Sequence, residues 1–383
     1  MNKNLRVYLS AICLTLTSAQ ALACRCGSEG ERQRHLRTAT ERVRGVLESD
    51  QRRDPAAGIR CDAGQPRNMV SIHRCADVAP GLPEDQCLER HRFTQTYGKP
   101  REACEAEGGS LPLFEVVELN PGYFVIRQNK CSNVEAPFMY LTMGETGAFL
   151  HDTGAYDDSG VGDAGVELRR LVEELIARRS AETGRQIHLT VGHGHAHGDH
   201  TSGDDAFSNP ASPNITVVGT SPAAVSRAYG MDPARWPNQV GTLDLGGRRL
   251  SVIPIPGHES SSVAFYDQST GDVLTGDSLY PGNVFVNGNW SQHRASTARL
   301  SDFLNNLPAG SPPVRMVLGS HVEISQSTET TPGENLGWGN PNQPNEHTIV
   351  LRKAQIDQMN AFLQANPTPP GEDQAFNDFI VAP

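Results

Sequence analysis

Residues 191–200 of this 383-residue chain read VGHGHAHGDH, a stretch with four histidines and one aspartate among small residues. The stretch follows Ile187, Leu189 and Val191, which alternate with polar residues in the pattern of a β-strand. Continued alternation would place the histidines of residues 193, 195 and 197 on one face. Glycine and alanine between the imidazoles allow close approach of the backbone, which suits metal binding. The stretch therefore predicts a metal site at the end of a strand.

Four other short motifs also lie at the ends of predicted strands. They are Asp152-Thr153-Gly154, Pro256-Gly257-His258, Thr275-Gly276-Asp277 and Gly319-Ser320-His321. Together with H-x-H-x-D-H at residues 195–200, this ordered set resembles the motifs of the metallo-β-lactamase superfamily. The resemblance covers roughly residues 111–365 and implies an α/β fold, the αββα sandwich, with metals held by strand-end loops.

The resemblance also implies which residues hold metal. His195, His197 and His258 correspond to the ligands of a first metal. Asp199, His200 and His321 correspond to those of a second, and Asp277 to a carboxylate that bridges both. Neutral imidazoles and carboxylates suit zinc, so the expected cofactor is two Zn²⁺ per chain.

Roles are also expected for four residues at or near the metal positions. By its place in the first motif, Asp152 accepts a hydrogen bond from a metal-bound imidazole and fixes its tautomer. Asp199 transfers a proton while it holds metal. Tyr280, three residues after Asp277, either donates a hydrogen bond to the substrate oxyanion or packs its loop. His193 lies outside the motif, and packing or an outer hydrogen bond is the expected role.

The resemblance implies a zinc-dependent hydrolase of small molecules. A hydroxide bridging the two metals would attack an ester, lactone, thioester or related bond, because coordination lowers the pKa of water to about 7. Asp277 favours glyoxalase II-like thioesterases and lactonases over β-lactamases, which generally carry Cys or Ser near the second metal. A β-lactamase and a mononuclear iron enzyme similar to persulfide dioxygenases remain as alternatives. A binding protein with a vestigial site is disfavoured by the complete ligand set.

Charge and hydropathy exclude other classes of function. The formal net charge of −11 gives no attraction to nucleic acid or to anionic membranes. Residues 1–23 have the positive start, short apolar run and Ala21-Leu22-Ala23 site of an export signal. No later segment is apolar enough to span a bilayer. The sequence thus predicts a periplasmic or extracellular protein without a transmembrane segment.

Seven cysteines would remain after cleavage, six of them within residues 24–110. Their spacings do not match zinc knuckles and predict disulfides of undetermined connectivity. A lipid anchor on Cys24 would leave an even number, whereas ordinary secretion would leave a free thiol or a Cys24 disulfide. The expected organisation is a signal peptide at 1–23, a cysteine-rich region of mostly loops at 24–110, and a hydrolase domain at 111–383.

Strands and helices alternate after residue 110, which implies sheets covered by helices. Apolar residues at helical spacing predict a helix over residues 165–180, from Leu168 to Ile176 on one face. Another helix is expected over 296–307. A last helix is expected from about Glu346 to Ala365, with Glu346 complementing the dipole in its first turn.

Overall fold

A computed structural model describes residues 70–91, 93, 113–130, 132–156, 163–208, 212, 214–286, 289–328, 331–336 and 345–383. In this part of the chain, two large sheets lie between outer helices. The expected αββα arrangement of an α/β protein is confirmed. The expected signal peptide, Cys24 and the cysteines at 26, 61, 104 and 131 lie outside the described residues.

The described strands form three sheets. One sheet has seven strands in the order β1 to β7, the second has six in the order β14-β13-β11-β10-β9-β8, and the third joins β12, β16 and β15. The strand bounds are β1 Val70–Arg74, β2 Phe114–Asn120, β3 Tyr123–Gln128, β4 Phe138–Met143, β5 Gly147–His151, β6 His188–Gly192, β7 Ile215–Val217, β8 Gly241–Asp244, β9 Arg249–Pro254, β10 Val263–Asp267, β11 Val273–Gly276, β12 Asn283–Phe285, β13 Val317–Gly319, β14 Val350–Leu351, β15 Gln374–Ala375 and β16 Ile380–Ala382.

The helices cover the outer faces of the two large sheets. Their bounds are α1 Cys75–Val78, α2 Glu84–Arg90, α3 Ala164–Thr183, α4 Gly198–Thr201, α5 Asp204–Phe207, α6 Pro222–Ala228, α7 Trp290–Asn305 and α8 Lys353–Ala365, with a 3₁₀ turn at Pro233–Arg235. Helix α3 packs on the seven-stranded sheet, and α7 and α8 pack on the six-stranded sheet. A third apolar core, with Phe149 and Phe265 in contact, fills the space between the sheets.

Helix α3 illustrates how local sequence sets these elements. The Asp163 side chain accepts a hydrogen bond from Val166 N at its start, and Gly184 ends it in the left-handed conformation with φ of 68°. Leu168, Leu171 and Leu175 are buried on the face that meets the sheet. The helix expected over 165–180 is therefore found, with a few more residues at its ends.

Five strand ends meet at one edge of the sandwich. Strands β5 and β6 pair in parallel and end at residues 151 and 192. In the other sheet, β9, β11 and β13 run in one direction and end at residues 254, 276 and 319. A hydrogen bond of 2.8 Å from Phe138 N to Ser320 O joins the two sheets at this edge. The motifs that follow these strands are thereby brought together.

The expectation of loops before residue 110 is wrong for residues 70–90. Strand β1 pairs in parallel with β2 and extends the seven-stranded sheet, so this segment is part of the sandwich. Helices α1 and α2 follow, and a disulfide joins Cys75 to Cys87. Apolar periodicity did not predict the strand and the two helices of this segment, because the segment is short and its buried residues are mainly cysteines and Leu88.

The acidic residues of α2 bind arginines far along the chain. Arg315 donates to Glu84 at 2.6 Å, and Arg352 donates to Asp85 and Glu89 at 2.9 and 2.7 Å. The segment at 84–90 is therefore attached to the second half of the sandwich by charge as well as by packing.

The last helix begins at Lys353, later than expected. Glu346 instead receives both terminal nitrogens of Arg127, at 2.7 and 3.0 Å. The Arg127 side chain is only 2% exposed, and a buried guanidinium requires such a partner. Among the described residues, no helix combines the length and the apolar character that a membrane crossing would need.

Candidate metal centre

The predicted ligands lie on loops that directly follow the converging strands. Strand β6 ends at Gly192, and the chain then bends before α4 starts at Gly198. The expectation that the histidines share one strand face is therefore wrong: His195 and His197 turn into the centre, while His193 faces Asp204 at 3.2 Å. Only small residues, Gly194 and Ala196, separate these histidines, which allows the close approach of the loop.

One group of side chains consists of His195, His197 and His258. The Nδ1 atom of His197 lies 2.9 Å from Nε2 of His195 and 3.1 Å from Nε2 of His258. His195 is buried, whereas His197 is exposed. Three imidazole nitrogens thus converge on one point that is open to solvent on one side.

A second group consists of Asp199, His200, Asp277 and His321. Asp199 Oδ2 lies 3.0 Å from Nε2 of His200 and 3.1 Å from Nε2 of His321. Asp277 Oδ1 lies 3.4 Å from each of the same two nitrogens. Two imidazoles and two carboxylates therefore surround a second point.

Asp277 lies between the two groups. Its Oδ1 atom faces His200 and His321, whereas its Oδ2 atom is 3.9 Å from His195 Nε2 and 3.7 Å from His258 Nε2. One carboxylate oxygen is directed at each group, which is the geometry that a bridging ligand requires.

The spacing of these atoms fits metal ions. Ligand atoms about 2.0–2.1 Å from a tetrahedral zinc are roughly 3.3 Å apart, close to the distances found here. Within the part of the chain that is described, the buried atoms His200 Nε2 and Asp277 Oδ1 make no hydrogen bond. Such atoms are costly to bury without a partner, and a cation bound between them would supply one. Both groups therefore fit a metal.

Three of the imidazoles are held from behind by oxygen acceptors. His200 Nδ1 lies 2.8 Å from Asp152 Oδ2, His258 Nδ1 lies 2.8 Å from the carbonyl of Phe285, and His321 Nδ1 lies 3.1 Å from the carbonyl of Glu135. Each acceptor requires a proton on Nδ1 and so directs the lone pair of Nε2 toward the centre.

Asp152 lies where the first motif predicts it, behind the ligands. It is completely buried, receives Gly194 N on Oδ1 at 2.8 Å, and has a positive φ of 69°. Such a backbone conformation is strained for a residue other than glycine. The contacts with His200 and Gly194 compensate for the strain and fix the carboxylate.

The two groups differ in their protonation. Burial, with His200 and the other nearby imidazoles, lowers the pKa of His195 well below its usual value. Burial opposes the charged form of His200 as well, but Asp152 and Asp277 outweigh it and raise its pKa well above the usual value. His195 is therefore neutral and ready to bind a cation, whereas His200 must release a proton when a cation binds at the second group.

The structure does not support Tyr280 as an oxyanion donor. Its hydroxyl donates to the carbonyl of Asn283 and also contacts Glu323, and the residue is only 2% exposed. A phenol has one proton to donate, and here it is used within the fold. The ring packs edge-on against His321 at 5.5 Å between centroids, so Tyr280 supports that imidazole.

Sequence reasoning missed the acceptors behind His258 and His321. Both are backbone carbonyls, of Phe285 and Glu135, and a carbonyl has no side-chain signature in a sequence. Ser320, which donates to Asp152 Oδ2 at 3.3 Å, lies within a quoted motif but received no role.

Comparison with known proteins agrees with this arrangement. Residues 144–321 match the family model of the metallo-beta-lactamase superfamily. A hydroxyacylglutathione hydrolase of Synechococcus sp. strain JA-3-3Ab is 30% identical over 117 residues, which span 29% of this chain and 42% of the relative. One of Thermosynechococcus vestitus is 28% identical over 214 residues, 54% of this chain and 75% of the relative.

A solved metallo-beta-lactamase from Pontibacter korlensis aligns with 66% of this chain and 99% of its own, at 17% identity and a TM-score of 0.39. The match to the family model covers all five motifs and every side chain of the two groups. Within this αββα architecture, residues 144–321 are therefore similar to the metallo-β-lactamase superfamily.

Proposed function

We propose that the protein is an exported hydrolase with two zinc ions that cleaves an ester, lactone, thioester or related carbonyl bond. The observation that carries the proposal is the position of Asp277, with one oxygen directed at each group of ligands. The relatives named hydroxyacylglutathione hydrolases favour an acyl–sulfur bond within this class. This chain matches 42% of the length of the first of these relatives. We therefore propose the substrate class and do not take it over from the relative.

His195, His197, His258 and Asp277 would hold one zinc, and Asp199, His200, His321 and Asp277 would hold the other. When bound, the metals would supply a nucleophile at neutral pH, because they lower the pKa of water, and would polarise the scissile carbonyl. The acceptors behind His200, His258 and His321 keep these imidazoles in the ligating tautomer. Exposed His197 marks the side from which the substrate enters.

Asp199 is the residue we assign to proton transfer. Its side chain is 20% exposed, against 10% for Asp277, and both of its imidazole contacts use Oδ2. The Oδ1 atom is therefore the carboxylate oxygen that can receive a proton and pass it to the leaving group.

A substrate panel tests the proposal. Zinc-loaded protein and an Asp277→Asn variant are assayed with a thioester, a lactone, an aryl ester, a phosphodiester, a sulfate ester and nitrocefin. We expect turnover of a carbonyl substrate and a loss of at least about 100-fold in kcat/KM in the variant, since the amide loses the charge that joins the two groups. Asp244→Asn, at an exposed aspartate bound to Arg249, is the matched control.

Metal analysis of the same samples separates the alternatives. Two zincs per chain with thioester or lactone turnover supports the proposal. Nitrocefin as the best substrate would show a β-lactamase, and one iron per chain with oxygen consumption would show a dioxygenase. Full activity in Asp277→Asn would overturn the assigned role of the bridging carboxylate.

Export is a separate part of the proposal. The Cys75–Cys87 disulfide supports an oxidising compartment, where such bonds persist. Expression of the whole chain, cell fractionation and mass determination of the mature protein test it. We expect a product that begins at Cys24, and an added diacylglycerol mass on that residue would identify the lipid anchor. A full-length product in the cytoplasm would contradict export.

A further inference from the structure

A third group of ligand-type side chains lies away from the proposed zinc centre. It consists of His73 on β1, His91 after α2 and Glu115 on β2. Glu115 Oε1 is 2.9 Å from His91 Nε2 and 3.3 Å from His73 Nε2. Strand β2 is three strands from β5, whose end leads to Asp152, so the two places are roughly 14 Å apart at the usual strand spacing.

The carboxylate of this group is buried and incompletely satisfied. Glu115 is 3% exposed, and its Oε2 atom makes no hydrogen bond to any described residue. Glu115 is therefore a buried ligand-type group that still lacks a partner for one oxygen.

The neighbouring Arg127 does not provide the missing hydrogen bond to Oε2 of Glu115. Arg127 is the cross-strand partner of Glu115 in the register of β2 and β3. Its two terminal nitrogens bind Glu346, which compensates its charge. Compensation of Arg127 by Glu346 also reduces the repulsion that a second cation beside Glu115 would meet.

The spacing of the three side chains fits a small divalent ion. Their ligand atoms all lie within 4.8 Å of one another. The distance of 3.3 Å between His73 Nε2 and Glu115 Oε1 equals the separation of about 3.3 Å expected for two ligands of a tetrahedral zinc. Two imidazoles and one carboxylate are also the ligand types that Zn²⁺ and similar first-row ions prefer.

The supporting structure holds the three side chains in place. The disulfide links Cys75, two residues after His73, to Cys87, four residues before His91. Phe93 packs edge-on against the His91 ring at 4.6 Å and against Phe138 at 5.1 Å between centroids. The ligands come from three separate segments, so a bound ion would fasten α2 and β1 to the sheet.

We propose that His73, His91 and Glu115 bind one divalent first-row transition-metal ion of the Zn²⁺ type, with water in the fourth position. The ion fastens residues 70–91 to β2 and is independent of the hydrolytic centre. Its ligands are distinct from all seven residues of that centre, so the two proposals can fail separately.

The difference in zinc content between the wild-type protein and variants of these three residues tests the site. Wild-type protein, His73→Ala/His91→Ala and Glu115→Gln are equilibrated with Zn²⁺, desalted and measured by plasma mass spectrometry. We expect one zinc per chain fewer in the double variant and a Zn²⁺ affinity of this site reduced more than about 100-fold in Glu115→Gln, since a direct ligand matters more than an outer contact. His188→Ala, at an exposed histidine bonded to Thr216, is the control and keeps the wild-type content.

The same zinc content in wild type and in a folded double variant would overturn the proposal. If the double variant does not fold, hydrogen exchange of the wild-type protein, measured with and without Zn²⁺, tests whether the site binds the ion. Added Zn²⁺ should slow exchange in peptides of residues 70–91 by more than in peptides of α3, which report any general stabilisation. Equal changes in both sets of peptides would also overturn the proposal.

Discussion

Asp152 shows how a side chain that touches no metal can determine the centre. Its carboxylate holds His200 through Oδ2 and the backbone of Gly194 through Oδ1, so it positions ligands of both groups. The surrounding imidazoles overcome the effect of burial and hold the pKa of Asp152 well below its usual value. The carboxylate of Asp152 therefore remains charged at neutral and mildly acidic pH.

Replacement of Asp152 by asparagine should weaken metal binding by about 10- to 100-fold, the usual effect of losing an outer acceptor. The amide has nearly the same shape but lacks the charge that stabilises protonated Nδ1 of His200. Competition for Zn²⁺ against a chromophoric chelator measures the affinity. Ser320→Ala removes only a hydrogen bond from an uncharged hydroxyl to Asp152 and should have a smaller effect. Equal affinities for Asp152→Asn and wild type would show that the contact does not orient His200.

The turn between β9 and its histidine shows how an element places a ligand. Gly257 precedes His258 with a φ of 159°, and a Cβ atom there would lie 2.5 Å from Cα of His293 in α7. Only glycine allows the loop to pass this close to the helix. The position of His258 thus depends on the contact between a loop and a helix that are distant in sequence.

Gly257→Ala should therefore lower the free energy of unfolding by about 2–3 kcal/mol, because α7 or the loop must move. Displacement of His258 should also reduce zinc content. Gly230→Ala is the matched control, since Gly230 has a φ of 73° but no atom within 4 Å of an added Cβ. We expect that control to cost about 1 kcal/mol from backbone strain alone and to keep its zinc. Denaturant unfolding and metal analysis measure the two effects, and similar losses in both variants would refute the steric argument.

The convergence of the candidate ligands could be predicted from the sequence because the motifs are local. In H-x-H-x-D-H, four of the seven candidate ligands are fixed by covalent spacing, and His258, Asp277 and His321 each follow a recognisable strand. Features that depend on distant partners could not be predicted. Glu346 resembles a residue of a helix start, but Arg127, 219 residues earlier, binds it and the helix begins later.

The third ligand group shows the same limit. Its three members are separated by 18 and 24 residues, and His73 belongs to a strand that apolar periodicity does not reveal. Only the parallel pairing of β1 with β2 brings His73 close to Glu115. Parallel pairing between distant segments leaves no short-range pattern in a sequence, in contrast to a hairpin.

The stability of the whole molecule should depend on buried histidines outside the metal groups. His293 is 1% exposed, and neither of its ring nitrogens has a hydrogen-bond partner in the described part of the chain. Burial, with His258 nearby, lowers its pKa to about 4. The unfolded chain binds a proton there at a pH near 6.5, so the folded state loses stability as the pH falls from about 6.5 to about 4.

In His293→Leu, the free energy of unfolding should depend less on pH across this range. The difference from wild type should amount to about 3 kcal/mol between pH 6.5 and 4, since one pKa unit corresponds to about 1.4 kcal/mol. Urea unfolding of metal-free protein at several pH values measures it, with His188→Leu at the surface as the control. Parallel curves for His293→Leu and wild type would show that His293 does not titrate in this way.

The arginines that bind α2 have a consequence for biosynthesis. Glu84 and Arg315 are 231 residues apart, and Asp85 and Arg352 are 267 residues apart. While the ribosome is still making the middle of the chain, α2 has none of these cationic partners, and its acidic residues stay in water. Residues 84–90 therefore acquire their ion pairs only when nearly all of the polypeptide has emerged, although they are translated early.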